Sequence, residues 1–492
     1  MSFTDPIDDV VASDRTGLLG IAPWWTRVRL REVCTVLNGF PFSSKLFTSE
    51  GGMPLLRIRD ILRGSTETYY SGDYDPAYVV RHGELVVGMD GDFNCALWIG
   101  PDALLNQRVC KLTVDSNRYS LRFLAHVLGG YLQAINARTP SVTVKHLSSR
   151  TVQDIPLPLP ARQEQDIIAS AIDSHFSRLD AATTTLERVQ RNLERYRASV
   201  LKAAVEGRLV PTEAELARKE GRSYEPASVL LQRILTERRR RWEDAELAKF
   251  RAKGKVPADG KWKAKYPEPV APEVEGLAEL PEGWCWASLA QCGDVITGTT
   301  PATSDPNNFT DGPGLPFIKP TDLDAGFHVA AARQYLSSQG ERSARTLPAD
   351  SVLVTCIGAT IGKTGLARVR CATNQQINAI IPTEPLMRTR LLYWYMIGPS
   401  GQEWIKANSS STTLPILNKS RFELLPIPLP PLAEQMRISL QAERLLSSSE
   451  NLQREASQSA TRLLRLRQAI LKHAFEGRLV PTEAATPEPS NS

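Results

Sequence analysis

The chain has 492 residues, a formal net charge of +5, 42% hydrophobic and 23% charged residues, and seven cysteines. This length predicts about three domains, and the hydrophobic content is sufficient for folded cores. No run approaches the roughly 18 apolar residues of a membrane helix, the N-terminus lacks a signal-peptide core, and cysteines without a CxxC pair indicate reduced thiols and a cytoplasmic location.

The first predicted elements are an N-terminal tail at residues 1–22 and a globular domain at residues 23–154. Short apolar runs such as Pro54–Asp60 are typical of strands that open into polar loops. A helix is predicted at Leu121–Ile135. The domain is therefore expected to mix strands with a few helices.

A helical region is predicted next, at residues 155–215. Prolines at alternate positions of 156–160 mark the helix start, because proline is excluded from helix interiors. Apolar positions within 163–206 then alternate spacings of three and four, the heptad pattern of paired helices. The predicted seam is Ile172, His175, Leu179, Ala182, Leu186, Val189, Leu193, Tyr196, Val200 and Ala203.

Residues 216–280 are predicted to form a basic helical linker. Over Val229–Lys265, 12 lysines and arginines stand against 5 acidic residues, with tryptophan and phenylalanine between them. Such a stretch can follow a phosphate backbone. It is equally well explained as a solvated helix with a flexible connector, and the sequence leaves both interpretations open.

A second globular domain is predicted at residues 281–424, with a helix at Met387–Ile405. A second helical region at residues 425–485 and a C-terminal tail at residues 486–492 complete the chain. The second heptad seam, 270 residues after the first, is predicted at Ala442, Leu445, Ser449, Leu452, Ala456, Ser459, Leu463, Leu466, Ile470 and His473.

Two segments resemble catalytic motifs but depart from them. Gly358–Gly365 resembles a phosphate-binding loop, but only three residues separate its glycine from Gly-Lys-Thr, and a strand-like run follows instead of a helix. A glycine hairpin is predicted there. Asp75–Tyr78 resembles the amino-methyltransferase motif without its second proline. The histidines and cysteines show no metal-ligand spacing, so the chain is predicted to be non-catalytic.

The two halves of the chain are repeats. Glu206–Ala214 and Glu476–Ala484 both read EGRLVPTEA, and the offset of 270 residues also aligns two Leu/Ile-Pro runs and two Glu-Gln pairs. The expected fold class is α+β: two mixed α/β domains separated by a pair of long antiparallel coiled-coil helices, in an internal pseudo-two-fold repeat. A helix of about 44 residues is about 66 Å long.

This arrangement resembles the DNA specificity subunit of type I restriction–modification systems. The resemblance extends from about Trp24 to Ala484 and rests on the tandem order, the junctions at Leu159–Gln165 and Leu429–Gln435, and the doubled Glu-Gly-Arg-Leu-Val-Pro. Leu230–Trp242 also looks like the central conserved region of that family.

The resemblance implies a division of labour among subunits. Each globular domain would be a target recognition domain that reads one half of a bipartite DNA site, and the helices would set the unread spacer. The helical regions would dock two adenine-N6 methyltransferase subunits and, through them, the restriction and motor subunits. No cofactor is expected in this chain; S-adenosylmethionine, ATP and Mg are expected in the partner subunits.

The resemblance allows residues that would contact DNA or the partner subunits to be named. The expected DNA contacts are Arg57, Arg59, Arg63, Asn106, Gln107 and Arg108 in the first domain and Lys319, Thr321, Lys363, Asn374, Gln375 and Gln376 in the second. The expected partner contacts are Glu206, Gly207, Arg208, Leu209, Glu476, Gly477, Arg478 and Leu479.

Two alternatives stay open from the sequence. One is a specificity subunit of a fused methyltransferase–nuclease system. The other is a coiled-coil scaffold with two binding domains and no role on DNA. A DNA reader should lose affinity steeply with salt, whereas the scaffold predicts behaviour that is insensitive to salt.

Overall fold

The computed structural model describes residues 3, 5–139, 144–257, 259–410 and 414–481. The chain divides into two compact units: unit 1 is Met1–Arg188 with Ala456–Ser492, and unit 2 is Val189–Glu455. Each unit thus contains one globular domain and a segment of each long helix. The predicted C-terminal tail and the last three residues of the second EGRLVPTEA lie outside the described residues.

Thirteen α-helices lie within the described residues. They are α1 (Ile7–Ala12), α2 (Leu30–Val33), α3 (Leu121–Arg138), α4 (Ser149–Gln153), α5 (Arg162–Val205), α6 (Glu213–Glu220), α7 (Ala227–Ala252), α8 (Leu289–Cys292), α9 (Ser338–Ser343), α10 (Thr389–Ile397), α11 (Pro399–Ala407), α12 (Lys419–Phe422) and α13 (Leu432–Phe475). None of the described helices combines the length and apolarity needed to cross a membrane.

Unit 1 contributes eleven described strands, most of them short. They are β1 (Thr26–Arg29), β2 (Cys34–Asn38), β3 (Phe47–Thr48), β4 (Met53–Leu56), β5 (Tyr69–Tyr70), β6 (Val79–Val80), β7 (Leu85–Gly88), β8 (Cys95–Leu97), β9 (Ala103–Leu105), β10 (Val109–Val114) and β11 (Pro156–Leu159). They form three sheets with the orders β1-β11, β2-β10-β7-β8 and β3-β5-β4-β9-β6.

Unit 2 contributes another eleven described strands. They are β12 (Cys285–Ser288), β13 (Gly293–Thr297), β14 (Phe309–Thr310), β15 (Leu315–Ile318), β16 (Tyr335–Leu336), β17 (Thr346–Leu347), β18 (Val352–Thr355), β19 (Thr364–Leu366), β20 (Cys371–Thr373), β21 (Ile377–Pro382) and β22 (Pro426–Leu429). Their sheets have the orders β12-β22, β13-β21-β18-β19 and β14-β16-β15-β20-β17.

The two globular domains share one topology. Adding eleven to each strand number of unit 1 gives the sheet orders of unit 2, and the one parallel pair among the described strands of each unit, β4 with β9 and β15 with β20, occupies the same place. The domains have therefore kept their scaffold while their sequences diverged. This confirms the predicted duplication and its mixed α/β domains.

The proline-rich runs are strands that end where the long helices begin. In β11, Pro156 and Pro158 face Arg29 and Arg27 of β1. Proline lacks the donor that a central strand needs, so it suits this two-stranded ribbon. The Tyr131 hydroxyl donates to the Pro156 carbonyl oxygen at 2.6 Å, and Tyr395 repeats this contact on Pro426 at 2.7 Å.

The long helices α5 and α13 each contain 44 residues and pair antiparallel within each unit. In unit 1, Arg467 of α13 pairs with Asp180 of α5 at 2.7 Å. Phe475, at the end of α13, packs against Phe123 of α3, and α3 begins beside the start of α5. The end of α13 therefore lies near the start of α5. In unit 2, Arg197 pairs with Glu450 at 3.2 Å. Both units confirm the predicted helix pairing.

The predicted heptad seam is only partly buried. Buried members include Ile172, Leu179, Ala442 and Ile470. Several predicted members are exposed instead: Val189, Tyr196, Leu452, Leu466 and His473. Leu446, Ala474 and Phe475, which the seam omits, are buried. The helix ends pack against the globular domains, so the buried face there follows the domain surface and not a strict period of 3.5.

Two other predictions need correction. The helix predicted at Met387–Ile405 is two helices, because Pro399 begins α11 and disfavours helical geometry at the preceding Gly398. The described part of the predicted N-terminal tail, residues 3 and 5–22, is not separate from the domain. Its apolar side chains, including Phe3, Ile7 and Leu19, are buried in the main core of unit 1.

Candidate nucleic-acid interface

Candidate residues of both domains lie at one edge of the sheet that holds the parallel strand pair. In unit 1, Leu56 is in register with Leu105, so the loops beginning at Arg57 and Asn106 leave the sheet side by side. In unit 2, Ile318 is in register with Thr373, and Lys319 and Asn374 follow in the same way. Loops at the carboxyl ends of neighbouring parallel strands converge on one site, where ligands commonly bind.

In unit 1 these loops line an open cleft of about 540 Å³. Four predicted residues line it: Arg57, Arg59, Asn106 and Arg108. Arg63 and Gln107 do not line the cleft. Arg63 lies 3.9 Å from Glu67, and Gln107 is exposed on the turn next to Asn106. Three acidic or amide side chains that the sequence analysis missed also line the cleft: Asp90, Asp92 and Asn94.

A glycine in each unit allows the asparagine turn to lie close to the neighbouring strand. A Cβ atom on Gly39 would stand 2.0 Å from the carbonyl oxygen of Asn106, and a Cβ atom on Gly298 would stand 2.2 Å from that of Asn374. No side chain fits at such distances. The position of the turn therefore depends on glycine in both domains.

The loop after each parallel strand begins with the same aspartate contact. The backbone N–H of Arg57 donates to Asp60 at 3.0 Å, and that of Lys319 donates to Asp322 at 2.8 Å. Asp60 is almost fully buried, and this burial raises the pKa of its carboxyl group. The loop geometry is thus fixed before any ligand binds.

Arg57 has unsatisfied donors in the cleft wall. Its Nε lies 3.8 Å from the Asp60 carboxylate, beyond hydrogen-bond distance. Its Nε and Nη2 are buried and have no hydrogen-bond partner among the described residues. A buried donor without a partner costs about 1–3 kcal/mol. These two nitrogens have almost no accessible surface, so an acceptor in the cleft would reach them only if the side chain, which is 25% exposed overall, moved toward it.

Most candidates of unit 2 contact other residues of their own domain. Asn374 donates to the Gln376 side chain at 2.8 Å, and Gln375 accepts from Thr300. Lys363 pairs with Asp324 at 2.6 Å. Thr321 is exposed on the loop that Lys319 begins. The duplicated asparagine therefore holds its own turn together, as its recurrence in both domains suggests.

The segment that resembles a phosphate-binding loop, Gly358–Gly365, contains a hairpin loop. β18 and β19 pair antiparallel on either side of it, and Gly358 and Gly362 have φ angles of +106° and +86°. A strand begins at Thr364, within the Gly-Lys-Thr sequence, whereas a phosphate loop requires a helix N-terminus there. The hairpin prediction is confirmed. No cluster of side chains within the described residues has the composition of a metal site.

The Glu-Gln pairs attach each globular domain to the start of its helix. The Gln165 side chain accepts from Ser120 N–H at 2.7 Å and donates to the Pro160 carbonyl oxygen at 3.0 Å. Gln435 repeats both contacts, with Arg388 N–H and the Pro430 carbonyl oxygen, each at 3.0 Å. Sequence reasoning found the motif but not this structural role.

A tryptophan completes each junction. Trp25 Nε1 donates to Glu164 at 3.2 Å, and Trp284 Nε1 donates to Glu434 at 3.0 Å. Glu434 also accepts from Glu213 N–H at 2.8 Å, yet its burial outweighs these bonds and raises the pKa of its carboxyl group. Glu213 belongs to the first EGRLVPTEA, so the repeat is tied to the junction.

The two EGRLV segments form the same turn and the same ion pair. Gly207 lies against Trp284 and Gly477 lies against Trp24, and the leucines at 209 and 479 pack against the cores of their units. The glutamate and arginine of each copy form an ion pair, Arg208 with Glu206 and Arg478 with Glu476. Of the eight expected partner contacts, the two arginines are exposed and the two glutamates half-buried.

Many arginines of the basic linker form ion pairs within unit 2. Arg238 pairs with Asp294 at 2.7 Å, and Arg240 pairs with Glu237 at 2.7 Å. Trp242 and Trp262 stack with their ring centroids 5.9 Å apart. These contacts favour the structural explanation of the linker over a track for a phosphate backbone.

Comparison with known proteins places this geometry in context. A sequence profile of the type I restriction modification DNA specificity domain matches residues 24–193 and 281–456. The specificity subunit of the Escherichia coli type I restriction enzyme EcoBI is 33% identical over 487 residues, which cover 97% of this chain and 91% of that protein. The specificity subunit of the Haemophilus influenzae enzyme HindI is 29% identical over 219 residues, 42% of this chain and 45% of that protein.

A solved structure shares the fold. It comes from work on complex assembly and conformational transition of the type I R-M system. The match has a TM-score of 0.55 and 22% sequence identity, and it covers 93% of this chain and 99% of that chain.

Proposed function

Because the chain belongs to the type I restriction–modification DNA specificity family, as its tandem motifs predict, we propose that it is the non-catalytic DNA-reading subunit of such a complex. Each globular domain reads one half of a bipartite, asymmetric DNA site. The methyltransferase and nuclease chemistry belongs to partner subunits, which bind S-adenosylmethionine, ATP and Mg.

One observation carries this proposal: an identical strand order with different side chains at the loop edge. A scaffold that is kept twice, while the residues at its converging loops diverge, is suited to present two different reading surfaces. Both units carry an Asn-Gln pair at this edge, but unit 1 has Arg57 and Arg108 where unit 2 has Lys319 and Gln376. These side chains donate to base edges in the major groove and to phosphates.

We assign the expected DNA contacts unequal parts. The four that line the unit 1 cleft have a common surface on which DNA can lie. Arg63 and Gln107 lie outside that surface, so we assign them no contact with DNA. In unit 2, Lys319, Thr321 and Gln375 offer exposed or half-buried polar groups at the equivalent edge. Asn374, Gln376 and Lys363 already have intramolecular partners, as does the Gln375 side-chain oxygen.

The repeated EGRLV surface is suited to two copies of one partner. Two identical Glu-Arg pairs on identical turns present one recognition element twice, which matches two adenine-N6 methyltransferase subunits, with the restriction subunits bound through them. An Arg208→Glu substitution should reduce the complex from two methyltransferase copies to one in native mass spectrometry. The matched control is Arg218→Glu, another exposed arginine of unit 2. Retention of two copies by Arg208→Glu would refute this docking surface.

The paired helices would set the distance between the two half-sites. Each helix is 44 residues long, about 66 Å at 1.5 Å per residue. That length can span two half-sites that lie about one helical turn of DNA apart, roughly 34–36 Å, or somewhat farther apart.

A selection experiment tests the proposal. The chain, assembled with its methyltransferase partner, is used to enrich a random double-stranded DNA library at two salt concentrations. We expect two short words separated by a fixed gap, with affinity that falls steeply as salt rises. Enrichment of one uninterrupted word, or of no sequence at either salt concentration, would contradict the proposal.

A further inference from the structure

The hairpin loop and the asparagine turn are joined by the same backbone bonds in both units. Met89 N–H donates to the Arg108 carbonyl oxygen at 2.9 Å, and Cys356 N–H donates to that of Gln376 at 2.8 Å. Leu147 N–H then donates to Met89 O at 2.7 Å, as Leu417 N–H does to Cys356 O at 2.8 Å. Arg108 and Gln376 are therefore equivalent positions on one scaffold.

At these equivalent positions unit 1 has an ionic group. The Asp90 carboxylate lies 2.6 Å from Nδ1 of His146 and 3.2 Å from Nε of Arg108. Asp90 is mostly buried, whereas the Arg108 side chain is 53% exposed and lines the cleft. The contact through Nε leaves the two terminal nitrogens of Arg108 to donate into the cleft.

Unit 2 has no charged residue at the three corresponding positions. An isolated bridge joins Ile357 to Ile416, where unit 1 joins Asp90 to His146. The Gln376 side chain accepts from Asn374 at 2.8 Å and lies 3.5 Å from the Ile357 carbonyl oxygen. The backbone is kept, and the ionic group is replaced by an amide and two aliphatic side chains.

This difference has a consequence for base recognition. A guanidinium can donate two parallel hydrogen bonds to O6 and N7 of guanine, the most frequent base-specific contact in the major groove. Such a contact requires that the arginine be held in one orientation, because a free side chain loses rotamer entropy on binding. A carboxylate on Nε supplies that orientation and leaves the terminal donors unoccupied.

We propose that Arg108, oriented by Asp90 with His146 behind it, reads a guanine in the half-site bound by the first domain. This inference rests on the proposed function and adds the base and the residue that reads it. Asp90 and His146 are positioning residues. The second domain, with Gln376 at the equivalent position, reads no guanine there.

The test replaces Arg108 with the side chain that the second domain carries. The Arg108→Gln gene is expressed in place of the intact gene in the host, and N6-methyladenine is mapped across the genome. We expect one G·C position in one of the two words to become permissive, with discrimination there reduced roughly 10- to 100-fold. The other word and the gap stay unchanged.

Two further variants make the result decisive. Asp90→Asn keeps the arginine but removes its anchor, and should relax the same position by a smaller factor, which loss of stability alone would not do. Arg63→Gln removes an arginine outside the cleft and should leave both words intact. Relaxation at an A·T position, or an equal loss at all sites as a phosphate contact would give, would overturn the inference.

A failed inference and a failed function give different results. If the intact gene directs methylation of a bipartite motif and Arg108→Gln leaves that motif unchanged, only the role of Arg108 is wrong. If the intact gene directs no bipartite methylation, the proposed function itself is wrong.

Discussion

At the scale of single residues, Arg57 is the clearest case of a side chain prepared for a ligand. Its side chain lines the cleft and is 25% exposed, and a shift of the side chain toward DNA would free its two buried, unpartnered donors. We expect Arg57→Ala to weaken DNA binding by about tenfold and, if the acceptor is a phosphate, to reduce the salt slope by about 1. Fluorescence anisotropy at several salt concentrations measures both.

Arg63→Ala is the matched control for Arg57, because Arg63 lies on the same loop but outside the cleft. It should change affinity by less than about twofold, the scale of an exposed ion pair. Equal effects of the two substitutions would mean that the cleft is not the binding surface.

The thiols permit a second test at the residue scale. Burial raises the pKa of six cysteines to about 12 and that of Cys285 to about 11. A folded pKa above the ordinary value keeps each group protonated at neutral pH, and only the thiolate is nucleophilic. Native protein at pH 8 should therefore react slowly with a disulfide reagent, whereas unfolded protein should expose seven reactive thiols. Rapid reaction of the native protein would contradict the assigned burial.

At the scale of elements, the helix pair shows which apolar positions hold it together. Leu446 is 1% exposed, whereas Leu452, a member of the predicted heptad seam in the same helix and unit, is 52% exposed. Leu446→Ala should lower the free energy of unfolding by about 2–4 kcal/mol, the cost of a buried leucine truncation. Leu452→Ala should cost less than about 1 kcal/mol. Urea denaturation followed by circular dichroism compares them, and the reverse order would favour the strict heptad.

Sequence predicted those elements that single residues determine locally. Prolines at 156–160 locate the start of α5, and Gly358 and Gly362 indicate the hairpin, because both residue types restrict or permit backbone angles regardless of tertiary contacts. The burial of Leu446 depends instead on the surfaces packed around its helix, so the 3.5-residue period did not find it.

Some residues of the candidate site were predicted from local sequence, and others were not. Polar residues after short apolar runs identified Arg57 and Asn106, since a strand end is a local feature. Asp90 and His146 were missed, because 56 residues separate them and only the sheet topology brings them to Arg108. The ion pair of Arg238 with Asp294 is likewise a tertiary contact that the count of basic residues could not include, whereas that of Arg240 with Glu237 is local to α7.

At the scale of the whole molecule, helix length is the variable to change. Removing seven residues from each helix, between 180 and 197 in α5 and between 450 and 467 in α13, leaves both interhelical ion pairs in place. The helices become about 10 Å shorter. The gap should shrink by one to three base pairs, at 3.4 Å per base pair, while both words remain unchanged. Altered words with an unchanged gap would show that the helices do not set the spacing.

The central claim is that one chain supplies two different DNA words to identical partners. Genome-wide mapping of N6-methyladenine in the host, with the gene intact and with the gene deleted, tests it most directly. We predict that deletion abolishes methylation at one bipartite motif, two short words around a fixed gap, and leaves every other motif in place. An unchanged methylation pattern in cells that express both the chain and its methyltransferase partner would contradict the account.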